Sequence, residues 1–158
     1  MRVAAVLLSS LLLSAHAQAT VPAPTGVVKQ LYRDFAWEAV LHVPDDGLAQ
    51  QPEAVLLKYF APKLASLLVS DAACVTRTHE VCRLDFTPLW ASQDPAAQDL
   101  TITEAGADEV KVQYEIPSTH EHMVLQFRLA RTPAGWRVAD IVYPEGPSLV
   151  ALLTQSMD

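Results

Sequence analysis

The sequence predicts an α+β domain in which N-terminal helices pack on an antiparallel β-sheet. Three observations predict this fold class. Apolar residues recur every three or four positions in the first half of the chain, they alternate with polar residues from about residue 83 onward, and turn motifs separate the alternating segments. Helices followed by a run of strands are typical of α+β folds. The chain has 158 residues, 51% of them hydrophobic, which suits one folded domain rather than a disordered segment.

The N-terminal segment has the layout of a secretory signal peptide. Arg2 gives a short positive region, residues 3–13 are mostly apolar, and small residues follow as far as Ala19. The apolar run is much shorter than the roughly 20 residues that a bilayer-spanning helix needs. We therefore predict cleavage after Ala17 or Ala19, with Ala19 preferred. The mature chain, residues 20–158, is then a single domain in the periplasm or outside the cell.

Two helices are predicted in the first half. Helical spacing of apolar residues predicts the first from Val27 to Leu41, ending before Pro44. The second begins at Pro52 and ends near Asp71. Pro62 falls inside its pattern, where a proline either separates two short helices or kinks one.

The second half alternates with a period of two and predicts strands. The apolar positions that define them are Leu84 and Phe86; Leu100 and Ile102; Val110, Val112, Tyr114 and Ile116; Met123, Leu125, Phe127 and Leu129; and Trp136, Val138 and Val142. Residues 105–108 and 132–135 are predicted hairpin connections. Ser148 is expected to cap a short helix that ends at Leu153.

One acidic residue interrupts the pattern of the last strand. Strict alternation places Asp140 on the same face as Trp136 and Val138. A buried carboxylate is costly unless it is paired. We therefore expect either an ion pair with Arg128 or Arg137, or exposure at the end of the strand, with a pocket-floor acid as the alternative.

Cys74 and Cys82 are the only two cysteines. In an exported protein an even pair is most simply a disulfide. A redox pair more often has two intervening residues than seven. A zinc site would need two further ligands, and only His79 and Glu80 lie inside the loop. The spacing therefore favours a structural disulfide.

Charge excludes some classes of partner. Eighteen Asp and Glu against eleven Lys and Arg give a net charge of -7 at pH 7. Nucleic-acid binding requires a basic patch, and anionic membrane surfaces attract basic segments, so neither partner is expected. No segment after the signal peptide is apolar enough to predict a membrane span. The sequence also lacks a glycine-rich phosphate loop and a nucleophile elbow, and we expect no cofactor.

The order of elements resembles a known superfamily. The segments Tyr59-Phe60-Ala61-Pro62-Lys63-Leu64 and Asp85-Phe86-Thr87-Pro88-Leu89, and the last strand from Gly135 to Ile141, resemble the nuclear-transport-factor-2-like superfamily. Within it, the chain is similar to a secreted bacterial family of unknown function over residues 27–153. The resemblance implies a cystatin-like roll, in which a curved sheet wraps a pocket that helices close at one end. It also implies a possible homodimer through the sheet, but no particular reaction.

The segment that follows the helices borders the pocket in such rolls. The ligand-binding candidates are therefore Tyr32, Asp85, Trp90 and Asp94. The catalytic candidates are Asp85, Asp94 and Tyr114, because a carboxylate in an apolar pocket can act as a general base beside a tyrosine donor. Tyr32 and Tyr143 are further possible donors. The alternative is that both aspartates bind backbone amides and fix the loop.

His120 and His122 are the candidate metal ligands. Two residues apart on a strand, they would point to the same face. With a third ligand from a neighbouring strand they could bind zinc or copper. No third ligand is identified, and the turn-like residues 116–119 precede the pair, so two solvated histidines are the alternative.

These observations favour an exported, non-catalytic domain that binds a small ligand or an envelope protein through a pocket or a sheet face. An isomerase- or hydrolase-like enzyme with an aspartate general base is one alternative. An inhibitor or immunity-type interaction protein is the other.

Overall fold

The computed structural model describes residues 23–41 and 47–156. The predicted signal peptide and Pro44 lie outside these residues. The described residues form an α+β fold with a curved, four-stranded antiparallel sheet in the order β1-β2-β3-β4, which confirms the predicted class. The helices are α1 Thr25–Phe35, α2 Glu53–Leu56, α3 Pro62–Thr78 and α4 Leu149–Leu153, with 3₁₀ turns at Ala36–Ala39 and Leu48–Gln50. The strands are β1 Gln98–Glu104, β2 Glu109–Ile116, β3 Glu121–Thr132 and β4 Gly135–Val142.

The first helix is shorter at its C-terminal end than the pattern predicts. Its α-helical geometry ends at Phe35, which has φ -124° and ψ 9°, and the chain tightens into a 3₁₀ turn. The Trp37 indole donates to the Asp34 carbonyl at 3.1 Å, which holds this turn. The prediction of a continuous helix to Leu41 is therefore wrong, and the tighter turn buries Glu38.

Pro62 separates two helices rather than kinking one. It occupies the first turn of α3, where a missing N–H costs no helical hydrogen bond. The residues just before it pair with β4 instead: Ala61 N donates to the Val138 carbonyl and Val138 N donates to the Tyr59 carbonyl, each at 2.8 Å. The predicted end near Asp71 is wrong, because the buried stripe of α3 continues through Cys74 to a left-handed cap.

The predicted strand at Leu84 and Phe86 is also wrong. Residues 79–97 are irregular, apart from a bridge between Thr87 and Ser92. In a strand, the backbone N–H groups of this segment would donate to a neighbouring strand, but here they donate to a side chain of α3. Arg83 N and Leu84 N donate to the Asp71 carboxylate, at 3.0 and 3.3 Å. Local alternation could not reveal this competing partner.

A bulge in β4 changes which residues face the core. Leu129 pairs with Val138 and Phe127 pairs with Ile141. The two β3 residues lie two positions apart, whereas their partners in β4 lie three apart, so β4 contains one extra residue at this point. Val138 and Ile141 are fully buried. The predicted face is therefore wrong beyond Val138, and Asp140 points away from the core. Its Oδ2 lies 4.0 Å from Arg128 Nη1, so Arg128 is the partner among the two predicted.

The remaining elements follow the prediction. β1, β2 and β3 occupy the predicted segments, both hairpins connect where expected, and the Ser148 hydroxyl accepts from Ala151 N at the start of α4. One hydrophobic core fills the space between the sheet and the helices. Its largest fully buried side chains include Tyr32, Phe60, Phe127, Leu31, Leu64 and Ile141.

Candidate ligand-binding site

Three tyrosine hydroxyls bind three consecutive carbonyl groups in the turn that follows Thr87. The pairs are Tyr143 to Pro88 at 3.2 Å, Tyr32 to Leu89 at 2.7 Å, and Tyr114 to Trp90. Burial raises the pKa of all three hydroxyls far above the ordinary value of 10, so they remain neutral donors. We call this arrangement the tyrosine clamp. Because its hydroxyls are engaged with backbone carbonyls, it does not supply the oxyanion donors that the sequence suggested.

Two of the ligand-binding candidates lie in the core. Tyr32 and Trp90 are 2% and 3% exposed, and their rings meet edge to face with centroids 5.2 Å apart. Neither residue lines the two cavities described below. Their role in the structure is therefore to anchor the turn between the helices and the sheet.

The two candidate aspartates are exposed. Asp85 lies at the rim of a cavity, where its Oδ2 accepts from Gln93 Nε2 at 3.4 Å. Asp94 lies in the same irregular segment. The tyrosine hydroxyls are bound to backbone, as described above. These positions therefore do not bring together a buried carboxylate and a free tyrosine hydroxyl, the arrangement on which the general-base hypothesis depended.

The two candidate histidines do not share a strand face. His120 lies in the turn before β3 with φ 57°, and its Nδ1 is 2.7 Å from Glu115 Oε1. This hydrogen bond is the main reason why the pKa of the Glu115 carboxyl is lowered. His122 lies on β3, opposite Glu115, and lines the smaller cavity. Within residues 23–41 and 47–156, no three His, Cys, Asp or Glu side chains are grouped to hold a metal ion.

Two cavities border the irregular segment. The smaller, of about 300 Å³, lies between the start of β3 and residues 143–147. The larger, of about 630 Å³, lies between α3, the two 3₁₀ turns and residues 81–95. Its described walls come from helices and loops and contain no strand residue. The larger cavity is thus on the helical side of the molecule, whereas the space under the sheet is filled by packed side chains.

The mouth of the larger cavity is apolar. Leu41, Val75 and Val81 line it and are 57%, 38% and 66% exposed. The deeper apolar residues of its wall include Leu68, Ala72, Leu84, Phe86 and Pro88. Large apolar side chains clustered at a concave surface are a typical feature of binding sites.

The disulfide holds one wall of this cavity. Cys74 on α3 is bonded to Cys82, which confirms the predicted pairing. The bond, together with the hydrogen bonds from Arg83 N and Leu84 N to the Asp71 carboxylate, fixes residues 81–84 against α3. The disulfide therefore positions the apolar wall in addition to closing a loop.

Glu38 is the residue of this site that sequence reasoning missed. It is only 7% exposed, and it lines the larger cavity. Its Oε1 accepts from Leu48 N at 2.6 Å, whereas Oε2 is buried and has no hydrogen-bond partner within residues 23–41 and 47–156. Burial raises the pKa of this carboxyl, and the hydrogen bond from Leu48 opposes that shift only in part.

A signal for Glu38 was present in the sequence. It follows Phe35 by three positions and Leu31 by seven, which places it on the apolar face of the first predicted helix. A carboxylate at such a position is unusual and indicates either a buried hydrogen bond or a functional group. Gly47 provides the room, because a Cβ there would lie 3.1 Å from Glu38 Oε1.

The charged groups in the described lining of the cavity share one sign. Glu38, Asp71 and Asp85 contribute carboxyl groups, and no Lys, Arg or His is among the described residues of its lining. Chemically, the site offers an apolar mouth and wall, one exposed carboxylate at the rim, and one buried carboxyl oxygen that has no partner among the described residues.

Comparison with known proteins adds one structural neighbour. No protein-family profile matches the sequence, and no curated protein matches it. The fold is similar to that of a phospholipid-binding protein from Ralstonia solanacearum, solved in complex with a phospholipid. The TM-score is 0.45 and the identity 16%, over 84% of this chain and 83% of that chain. A likeness at this level does not carry a ligand from one protein to the other.

Among the helices in the described part of the chain, none is both long and apolar enough to cross a membrane.

Proposed function

We propose that this chain is an exported, non-catalytic domain that binds a small, largely apolar ligand in the larger cavity. The observation that carries the proposal is the cavity of about 630 Å³ with its exposed apolar mouth. Small-molecule sites typically measure about 300–1,000 Å³ and combine apolar walls with a few polar groups. The large exposed apolar side chains at its mouth have a function under this proposal, because a bound ligand would cover them.

Two further parts of the proposal concern location and ancestry. The Cys74–Cys82 disulfide supports an oxidising compartment such as the periplasm, in agreement with the predicted signal peptide. Helices followed by a curved meander support distant membership of the nuclear-transport-factor-2-like superfamily. A homodimer through the sheet stays a prediction, which light scattering of the mature protein can test.

The experiment uses a neutral apolar fluorophore, N-phenyl-1-naphthylamine, titrated into the oxidised mature protein. Two neighbouring alanines on α3 provide a matched pair, because Ala72 lines the cavity and Ala73 does not. We expect the Ala72→Phe side chain to occupy part of the cavity and weaken binding by about tenfold or more, which corresponds to about 1.4 kcal/mol. Ala73→Phe should bind as the wild type does. No binding by the wild type, or equal binding by both variants, would refute the site.

A further inference from the structure

The buried carboxyl of Glu38 has no complement within the described structure. If it is protonated, its hydroxyl lacks an acceptor, and if it is ionised, a buried charge lacks a counter-ion. Buried polar atoms are nearly always paired, and an exception calls for an explanation. A group supplied by a ligand would resolve either state.

The other two carboxylates in the described lining have hydrogen-bond donors. Both oxygens of Asp71 accept backbone N–H groups of the wall, from Arg83 and Leu84. Asp85 is exposed to water at the rim, and Gln93 donates to it. Glu38 is therefore the group toward which a donor on a ligand would be directed, while the other carboxylates add negative charge around it.

We propose that the ligand of this cavity is an apolar amine, whose ammonium group binds Glu38 while its apolar body contacts the walls and mouth. This inference rests on the proposed function, because it names the class of ligand for the same cavity. Oε2 has almost no exposed surface, so the Glu38 side chain must turn toward the cavity before a cation can bind it by a charge-assisted hydrogen bond. The cation then meets no like charge in the described lining. An anionic ligand would face three carboxyl groups, and a wholly apolar ligand would leave Oε2 unpaired.

The protonation of Glu38 adds a dependence on pH. Among the described residues, the titratable groups that share the cavity with it are Asp71 and Asp85, and the Tyr32 hydroxyl interacts with it from the core side. Burial raises the pKa of the Glu38 carboxyl in the free protein, so acidification protonates it within the folded state. Affinity for an ammonium group should therefore fall as the pH is lowered through the titration of Glu38.

The test compares three ligands with the same chain, decylamine, decanol and decanoate, by isothermal titration calorimetry. We expect decylamine to bind about tenfold or more tightly than the other two at pH 7. Glu38→Gln should abolish this preference and keep the affinity for decanol, which also verifies that the variant is folded. Glu80→Gln is the matched control, because it removes an exposed carboxylate of the disulfide loop that does not line the cavity. It should retain the preference.

The outcomes separate the two proposals. Equal affinity for all three compounds, or a preference for decylamine that survives in Glu38→Gln, refutes the amine and leaves the binding site standing. Failure of all three compounds and of the neutral fluorophore to bind refutes the proposed function and the amine together.

Discussion

The tyrosine clamp predicts a specific loss of stability when one hydroxyl is removed. Tyr32→Phe deletes a 2.7 Å hydrogen bond and leaves the Leu89 carbonyl without its donor in the core. The ring itself stays, so its contacts with Trp90 and Phe127 are kept and no cavity forms. An unsatisfied buried acceptor costs about 1–3 kcal/mol, and we expect a loss of about 2 kcal/mol. For a chain of this size that lowers the Tm by roughly 8 °C.

The assay is urea unfolding of oxidised residues 20–158 at pH 7, with an unchanged m value as evidence that only stability has changed. Thr154→Val is the matched control, because it also deletes one hydroxyl with little change of shape. The Thr154 hydroxyl donates to the Val150 carbonyl at 2.8 Å, but it is exposed and water can replace it. A loss below about 0.5 kcal/mol in Tyr32→Phe, equal to the control, would refute the clamp as a stabilising feature.

Three further predictions concern the disulfide, the start of α4 and the buried carboxyl of Glu38. Replacing Cys74 and Cys82 with serine should lower the free energy of unfolding, measured in urea, by about 2.6 kcal/mol, and it should weaken fluorophore binding. Unchanged binding would show that the disulfide does not hold the cavity wall in position. Asp140→Ala should cost about 1 kcal/mol in thermal unfolding, because Oδ1 accepts from Val150 N at 2.9 Å in the first turn of α4, and Asp140→Asn should cost less. The pKa of Glu38 is raised on folding, so wild-type stability should increase as the pH falls from above that pKa toward its ordinary 4.5. Glu38→Gln should lack this increase. Parallel profiles of stability against pH for the two proteins, measured in urea, would contradict the assignment of the raised pKa to Glu38.

Local patterns predicted the elements whose partners are near in sequence. The period-two segments of β2 and β3 face each other across a short turn, so the same alternation that marks each strand also sets which face is buried. The disulfide was predictable because two cysteines in a chain that is predicted to be exported leave one pairing. The proline at position 62 limited the second helix to two possible forms.

The prediction of the site residues was less complete. It selected the irregular segment that borders both cavities, and Asp85 does lie at the rim of the larger one. It also placed Tyr32 and Trp90 in a pocket, whereas they anchor the turn from within the core. Aromatic residues with a polar group are found in both environments, and composition alone does not distinguish them.

The sequence by itself determined the fold class, most of the strands and the covalent staple, because periodicity, turn residues and cysteine number are local or countable properties. Only the tertiary structure decided the bulge that turns Asp140 away from the core, the loss of the strand at Leu84, and the burial of Glu38. Each depends on a contact with another segment: the bulge on the pairing of β4 with β3, the lost strand on Asp71 of α3, and the burial of Glu38 on the turn that contains Leu48. Burial and hydrogen bonding are set where such segments meet, and a pattern within one segment contains no information about its partner.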